Sequence, residues 1–459
     1  MSQGAPEGFV AQGVAGEVRR LVRLAVPVAG TQLVGMLLGV VDTIMLGRYS
    51  TDAMAASVAA NAFVFSTMMF MNGVLFGLDP LIAQAHGAGR GDRAALALQR
   101  GTVLAALLAL PCAALWLLIG PFMTLVRQDA ALIPLAEGYA IALIPGLPCF
   151  LVASVLRQYL QGREIVLPAL VITLVANGVN ALANYALIFG HFGFEEMGIV
   201  GAGIASSVTR ALSLLLLVAY VKVFRLHDGA WQPWSRAAFD PRGLRRVFAI
   251  GLPVALQVSA EMWAFNASTF IAGALGATAV AAHGVALNLA SLSFMLPLGV
   301  SQAATTRVGN LIGAGRAREA QRSAWIALAM GAGVMTLSAV VFVVGREDLA
   351  RIYTSDPVVV HYAATILPIA AAFQIFDGTQ VVGSGVLRGM GRTLPAFVFN
   401  LVGYWCIGLP LGWWIGPGSH GGLEGIWWGL SLGLAIVALS LVAWIRRSGP
   451  ASLAAHPPA

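Results

Sequence analysis

Charge is what this chain has least of. Acidic and basic residues together make up 10% of its 459 residues, against roughly 25% in an ordinary soluble domain, so too few exist to clothe a water-soluble particle. Cysteine is scarcer still. Cys112, Cys149 and Cys406 all fall in apolar segments without CxxC spacing, which excludes a disulfide scaffold and leaves them as small buried hydrophobes. No second His or Cys stands at ligand spacing from His283, so it reads as a helix-packing residue rather than a metal ligand. The chain has no DDxxD for a magnesium diphosphate and no GxSxG nucleophile, which sets intramembrane enzymes aside. The Gly87–Gly91 stretch, GAGRG, lacks the Lys-Ser/Thr of a phosphate loop, and no cofactor is expected. No convincing leader cleavage site precedes the first apolar run. The net charge of +7 is dispersed among loops, which argues against a nucleic-acid partner.

What the chain has instead is 58% hydrophobic residues, gathered in runs of about 20, the length of a membrane-spanning helix and too long for the alternating strands of a barrel. The expected fold class is an all-α polytopic membrane protein with 12 transmembrane helices. The runs place spans at 18–47, 53–83, 99–120, 133–157, 166–190 and 198–222, then at 245–273, 279–308, 322–345, 359–386, 394–416 and 423–446. They divide the chain into a tail (1–17), an N-lobe (18–222), a polar linker (223–244), a C-lobe (245–447) and a disordered tail (448–459). The linker carries Trp231, Trp234 and basic residues, which suit a segment lying on the membrane surface among lipids. Of the 27 Lys and Arg, 22 fall on the side of the termini, four (Arg48, Arg127, Arg346, Arg351) on the other, and Arg210 within a span. Both termini are therefore expected in the cytoplasm.

The two halves repeat. At an offset of 226 residues Pro27 meets Pro253, Thr43 meets Thr269, Gly47 meets Gly273, Gly73 meets Gly299 and Arg90 meets Arg316. At 227, Gly162 meets Gly389 and Pro168 meets Pro395. Six spans per repeat give both halves one orientation, a parallel repeat of two six-helix lobes, as in carriers that rock their lobes about a site between them.

Three acids, Asp42, Glu261 and Asp377, sit near the middle of apolar runs. An ionised acid there is unfavourable by roughly 2.5–3.5 kcal/mol on insertion scales and marks an ion route by default. Two of them in one lobe resist being ionised together, which a proton or Na⁺ at Glu261 and Asp377 would relieve. Asn177, Asn180 and Asn184 stand in one span, the last two on one face; they read equally as packing glue or as a second cation or proton site. Pro27 and Pro253 remove a backbone hydrogen bond inside their helices, giving a static kink or a hinge. Candidates for a substrate cavity are Phe63, Phe65, Met68 and Met69 in the second span, Met262 and Phe265 beside Glu261, and Phe294 and Met295, because aromatic faces bind organic cations and Met adapts to varied shapes. Asp79 reads as interfacial.

Asp42-Thr-Ile-Met-Leu-Gly47 after Pro27, the recurring GAGR, Pro253 with Glu261, and Asp377 followed by Leu387-Arg-Gly-Met-Gly391 together resemble the multidrug and toxic compound extrusion family, in particular its NorM-like branch, over 18–447. The resemblance implies a V-shaped pair of lobes, functional as a monomer in a bacterial inner membrane, exporting small hydrophobic organic cations in exchange for Na⁺ or H⁺. It points to Glu261 and Asp377 as the principal coupling-ion site, tilts the Asn residues towards a site with Asp42, and suggests that protonated Asp42 bends its helix at Pro27. Some sodium-linked relatives have a Tyr one turn before the last acid; Phe373 stands there instead. The alternative is a flippase for lipid-linked sugars, which would present a basic cavity.

Overall fold

A hydrocarbon environment offers the backbone no hydrogen-bond partner, so long apolar runs close their bonds internally as helices. In the computed structural model, which describes residues 13–454, every long element is a helix and the described residues hold no strand. The first repeat comprises α1 (Val14–Tyr49), α2 (Thr51–Leu75), α3 (Leu78–Gly87), α4 (Gly91–Leu117), α5 (Ile119–Leu125), α6 (Ile133–Leu143), α7 (Gly146–Gly162), α8 (Leu167–Phe189) and α9 (Gly198–Val223). The second comprises α10 (Pro241–Gly273), α11 (Ala277–Gly313), α12 (Ala317–Val344), α13 (Arg346–Arg351), α14 (Pro357–Gly389), α15 (Leu394–Leu401), α16 (Leu409–Trp413) and α17 (Gly422–Ser448). Among the described residues, eleven helices are long and apolar enough to cross a membrane, twelve when α6 and α7, bent by 48°, count as one. The bend falls at Pro145, whose missing N–H cannot continue the ladder. Ser50 caps α2 by accepting from Ala53 N–H, Asp356 caps α14 by accepting from Val358 N–H, and Gly190 closes α8 in the left-handed region.

Several boundaries differ from the sequence reading. Helix α1 begins at Val14 and α10 at Pro241, inside the expected tail and linker, because an apolar count misses the Arg-bearing first turns that project from a membrane. The segment after Arg447 was expected to be disordered, yet a 3₁₀ turn runs over Pro450–Ala454. Ala451 N–H donates to Gln321 Oε1 at 3.2 Å. The remaining tail residues, 1–12 and 455–459, lie outside the described ones. Cys406 is exposed and Cys149 half-buried, whereas Cys112 is buried. Asp79 lies in the first turn of α3 and is 4% exposed.

The chain forms two compact units that do not part at the linker. One unit takes residues 1–29, 86–89 and 256–459, the other 30–85 and 90–255. Thus α1 and α10 each begin in one unit and end in the other, changing over at 29/30 and at 255/256, places that differ by the repeat offset of 226. Both changeovers lie within one turn of Pro27 and Pro253. The repeated glycines explain how the helix starts are held. A Cβ on Gly73 would stand 2.6 Å from Ala255 Cα, and one on Gly299 would stand 2.7 Å from Ala29 Cβ. Ala29 and Ala255 are themselves repeat partners. Each glycine lets α2 or α11 seat the start of the other repeat's first helix within its own unit, the small-residue packing of membrane helices.

In the unit with residues 256–459, α15 and α16 are joined and followed by π-helical segments, Val402–Gly408 and Trp414–Gly418. Gly403, Gly408, Gly412 and Gly416 lie against Gly433, Gly429 and Gly425 of α17. The five-residue step from Gly403 to Gly408 fits the i→i+5 bonding of a π turn, which is often found at functional sites. A Cβ on Gly429 would stand 2.2 Å from Gly412 N, whereas one on Gly273 meets nothing within 4 Å. Gly429→Ala is therefore expected to lower stability by about 1–3 kcal/mol through overpacking, read as a lower apparent melting temperature in detergent, with Gly273→Ala as the neutral control.

Candidate functional site: two buried acid clusters

The first cluster lies in the unit containing 256–459. Glu261 is carried by α10 about one and a half turns beyond the changeover, and Asp377 by α14. Glu261 Oε1 accepts from Gln257 Nε2 at 3.0 Å and from Gln380 Nε2 at 2.7 Å. Gln257 also donates to Ser384 Oγ (3.2 Å), and Gln380 to Asn400 Oδ1 (2.8 Å). Gln380 lies one turn after Asp377, so α14 brings the acid and the amide to the same place, and the two carboxylates feel each other's charge. Asp377 is 7% exposed and receives no hydrogen bond from the described residues. Among those residues neither acid has a cation within ion-pair distance, although the charge of Arg388, 8% exposed on α14, acts on Glu261. Thr379 instead turns its hydroxyl onto Ile375 O of its own helix.

An aromatic wall closes this cluster. Phe265, one turn after Glu261, packs edge-on to Phe373 and to Tyr404, with ring centroids at 6.1 and 5.7 Å. Trp427 stands against Phe373 at 5.8 Å and His283 at 5.6 Å. His283 is fully buried beside Ser268 Oγ at 3.2 Å, as expected of a packing residue. Tyr404 belongs to the first π-helical segment. Its neighbour Trp405 donates to Ala260 O at 3.1 Å, which ties that segment to the residue before Glu261. The phenol is 1% exposed, has no hydrogen-bond partner among the described residues and lies within Coulombic reach of both acids. A phenol thus lies near both acids from another helix, one that sequence spacing does not reveal.

The second cluster lies in the other unit. Asp42 on α1 is 6% exposed. Its Oδ1 accepts from Asn184 Nδ2 at 2.5 Å and its Oδ2 from Ser206 Oγ at 3.1 Å, while Asn184 Nδ2 also lies 3.1 Å from Asn180 Oδ1. Asn177 does something else. It donates to Val34 O and Thr173 O, both at 3.0 Å, joining α8 to α1 as packing glue. Arg210, one turn beyond Ser206, is close enough for its charge to act on Asp42. Its guanidinium also faces the Phe150 ring, as does that of Arg157, both at 5.7 Å. Arg157, assigned by sequence to a loop, lies within α7.

The cavity candidates scatter. Phe63 stacks on Phe122 with centroids 4.6 Å apart, Met68 is 5% exposed and Met69 packs on the same core, whereas Phe65 is 48% exposed. Met262, Phe294 and Met295 are half-buried. Of these candidates, Phe265 is the one whose ring packs into an acid cluster's aromatic wall.

The sequence model of the MatE family matches residues 27–186 and 253–414, one stretch per repeat, starting 226 residues apart. The chain belongs to the MatE family of multidrug and toxic compound extrusion (MATE) transporters. It is accordingly a multi-pass membrane transporter and not an enzyme. Solved structures agree in fold. A eukaryotic MATE transporter, AtDTX14, is 24% identical with a TM-score of 0.88, covering 97% of this chain and 98% of that one. An outward-facing multidrug resistance MATE transporter of the MOP superfamily is 18% identical with a TM-score of 0.84, covering 94% and 95%. A MOP superfamily transporter from Pyrococcus furiosus is 19% identical with a TM-score of 0.84, covering 97% and 99%; the polarity of its binding pocket is described as reversed and as suggesting a different function. At these identities the likeness shows the two-lobed MATE fold alone.

Proposed function

We propose that this MATE protein exports small organic cations in exchange for Na⁺ or H⁺, with Glu261 and Asp377 as the principal coupling-ion site and Asp42 as a second. The observation that carries the reading is the pair of buried carboxylates on α10 and α14, with neutral amides as the hydrogen-bond partners of Glu261 and one buried guanidinium, Arg388, acting on it through charge alone. Two carboxylates against one cation leave net negative charge in a medium of low dielectric, and a proton or cation stabilises it. Na⁺ takes several oxygen ligands, and Asp377, Glu261 and Tyr404 supply three of them. An ion arriving from outside neutralises the acids and releases the drug. Its departure on the other side restores the charge that attracts the next organic cation, with the aromatic wall of Phe265, Phe373 and Tyr404 as the apolar half of that attraction.

The changeovers near Pro27 and Pro253 support a hinge role for both prolines, since a helix that has already lost a backbone bond bends there most readily. Protonation of Asp42 would alter its bonds to Asn184 and Ser206, and so the hold of α1 on α8 and α9. Tyr404→Phe removes one oxygen without disturbing the ring packing. It is expected to weaken the ion's ability to displace drug by about fivefold, the loss of one hydrogen bond or ligand, read as a shift in the half-effective Na⁺ or H⁺ concentration.

One observation favours the alternative of an anionic lipid-linked substrate: the guanidiniums of Arg157 and Arg210, each 5.7 Å from the Phe150 ring. Proteoliposomes loaded with a fluorescent organic cation test both readings. Transport driven by an imposed Na⁺ or pH gradient and retained in Arg210→Gln supports antiport. Absence of transport for several cations under either gradient supports the alternative.

A further inference from the structure

The polar connection between α9 and α10 is strapped across the basic end of one unit. Gln99 Nε2 donates to Gln232 O at 2.9 Å and Pro233 O at 3.2 Å, Tyr159 Oη to Ala230 O at 2.5 Å and Arg100 Nε to Ala237 O at 3.2 Å. Arg163 donates to Leu226 O. Between this strap and helices α4, α7 and α9 remains a cavity of about 340 Å³. Its depth is apolar, with Leu214 and Val218 on α9; its rim carries Lys222, Trp231 and Trp234. A shallower groove of about 500 Å³ continues along α4, and the two share Thr102 and Trp234. Trp234 therefore divides one apolar surface into two channels. Trp231 and Trp234 are each about half exposed, at 51% and 52%, as suits rings at the boundary between lipid and water.

Two polar groups in the cavity lack a partner. Gln99 lines the cavity and is 1% exposed, and while its Nε2 is committed to the two carbonyls, its buried Oε1 has no donor among the described residues. Lys222, the one lysine in the sequence, is exposed in the last turn of α9 and has no ion pair among the described residues. Neighbouring charges are already matched: Asp228 pairs with Arg225 at 3.0 Å and stands 3.7 Å from His227, and Arg100 pairs with Asp240 at 3.6 Å. The unanswered needs are one hydroxyl donor at Gln99, one anion at Lys222, and two apolar chains parted by an indole.

We propose that this cavity binds an anionic glycerophospholipid with a hydroxyl-bearing headgroup, its phosphate at Lys222, a headgroup hydroxyl at Gln99 and one acyl chain on each side of Trp234. Phosphatidylglycerol has this chemistry. Phosphatidylcholine lacks both the net charge and the donor. The strap links the two repeats, so an occupied cavity braces the start of α10 against α4.

The single lysine supplies the test. The full chain in phosphatidylcholine nanodiscs is treated with an uncharged amine-reactive ester, and labelling of Lys222 is followed by peptide mass spectrometry as phosphatidylglycerol or phosphatidylmethanol is added. The expected result is labelling about tenfold slower with phosphatidylglycerol, the effect of a charge-assisted contact, and clearly weaker protection by phosphatidylmethanol, which has the charge without the hydroxyls. Gln99→Leu is expected to remove the difference between the two lipids. Equal protection by both lipids in the unmodified chain, or protection by neither, overturns the proposal.

Discussion

Asp377→Asn is expected to reduce gradient-driven efflux by about 100-fold, to near the leak of empty vesicles, while the protein remains folded. The substitution is nearly isosteric and removes no hydrogen bond, because Asp377 receives none. What it removes is the second charge of the pair with Glu261. Coupling between two ligands amounts to about 1–3 kcal/mol, or roughly 5- to 150-fold, and here most of it would rest on competition for that pair. Glu261→Gln is expected to be nearly as damaging, with a somewhat lower melting temperature as well, since Gln257 and Gln380 both donate to Oε1 and an amide nitrogen placed there would face them. The check is uptake of a fluorescent organic cation into proteoliposomes, normalised to reconstituted protein. Undiminished transport in both variants would make these acids structural and shift attention to Asp42.

The second large effect concerns stability. Arg307 on α11 is 1% exposed and donates through Nε and Nη2 to both oxygens of Glu17, at 2.8 and 2.9 Å. Its repeat position is Leu81 and that of Glu17 is Gly243, so the pair exists in one unit only. It fixes the start of α1 ahead of Pro27, the anchored end against which any bending of the rest of α1, with Asp42, would work. Glu17→Ala leaves a buried guanidinium without its carboxylate, and is expected to destabilise the protein by about 3–5 kcal/mol. Replacing both residues by Leu should recover much of that loss, because an apolar pair has no charge to desolvate. Thermal unfolding in detergent distinguishes the two. A single variant as stable as the parent would show that the pair contributes little.

The features legible in the sequence were those whose signal is local or repeats. Acids within apolar runs stand out by residue type, and Gly73/Gly299 or Pro27/Pro253 by their common offset. Asn184 drew notice because an amide is rare in such a helix. Its twin Asn177 draws equal notice and donates instead to Val34 O and Thr173 O, since nothing in residue type tells which way a side chain turns. Ser206 and Tyr404 carry no signal of their own. Both are ordinary in membrane helices and matter only through residues on other helices, Ser206 through Asp42 and Tyr404 through Asp377 and Glu261. The Phe373 departure pointed towards a missing oxygen, and the π turn that restores one is written only in the spacing of Gly403 and Gly408. The exchange of helix starts between units was likewise hidden: the prolines mark where a helix can change direction, not which unit receives its first turns.

Competition at the acid pair is the central claim, and it is best measured without transport. Binding of tetraphenylphosphonium to the purified protein, titrated at several pH values with and without Na⁺, reports it directly. The account predicts that affinity falls as Na⁺ is added or as pH is lowered, and that the dependence disappears in Asp377→Asn. The sign follows from the charge: a proton or Na⁺ neutralises the carboxylates that attract the organic cation. Affinity that is the same at every pH and Na⁺ concentration, or a dependence that Asp377→Asn leaves intact, would contradict it.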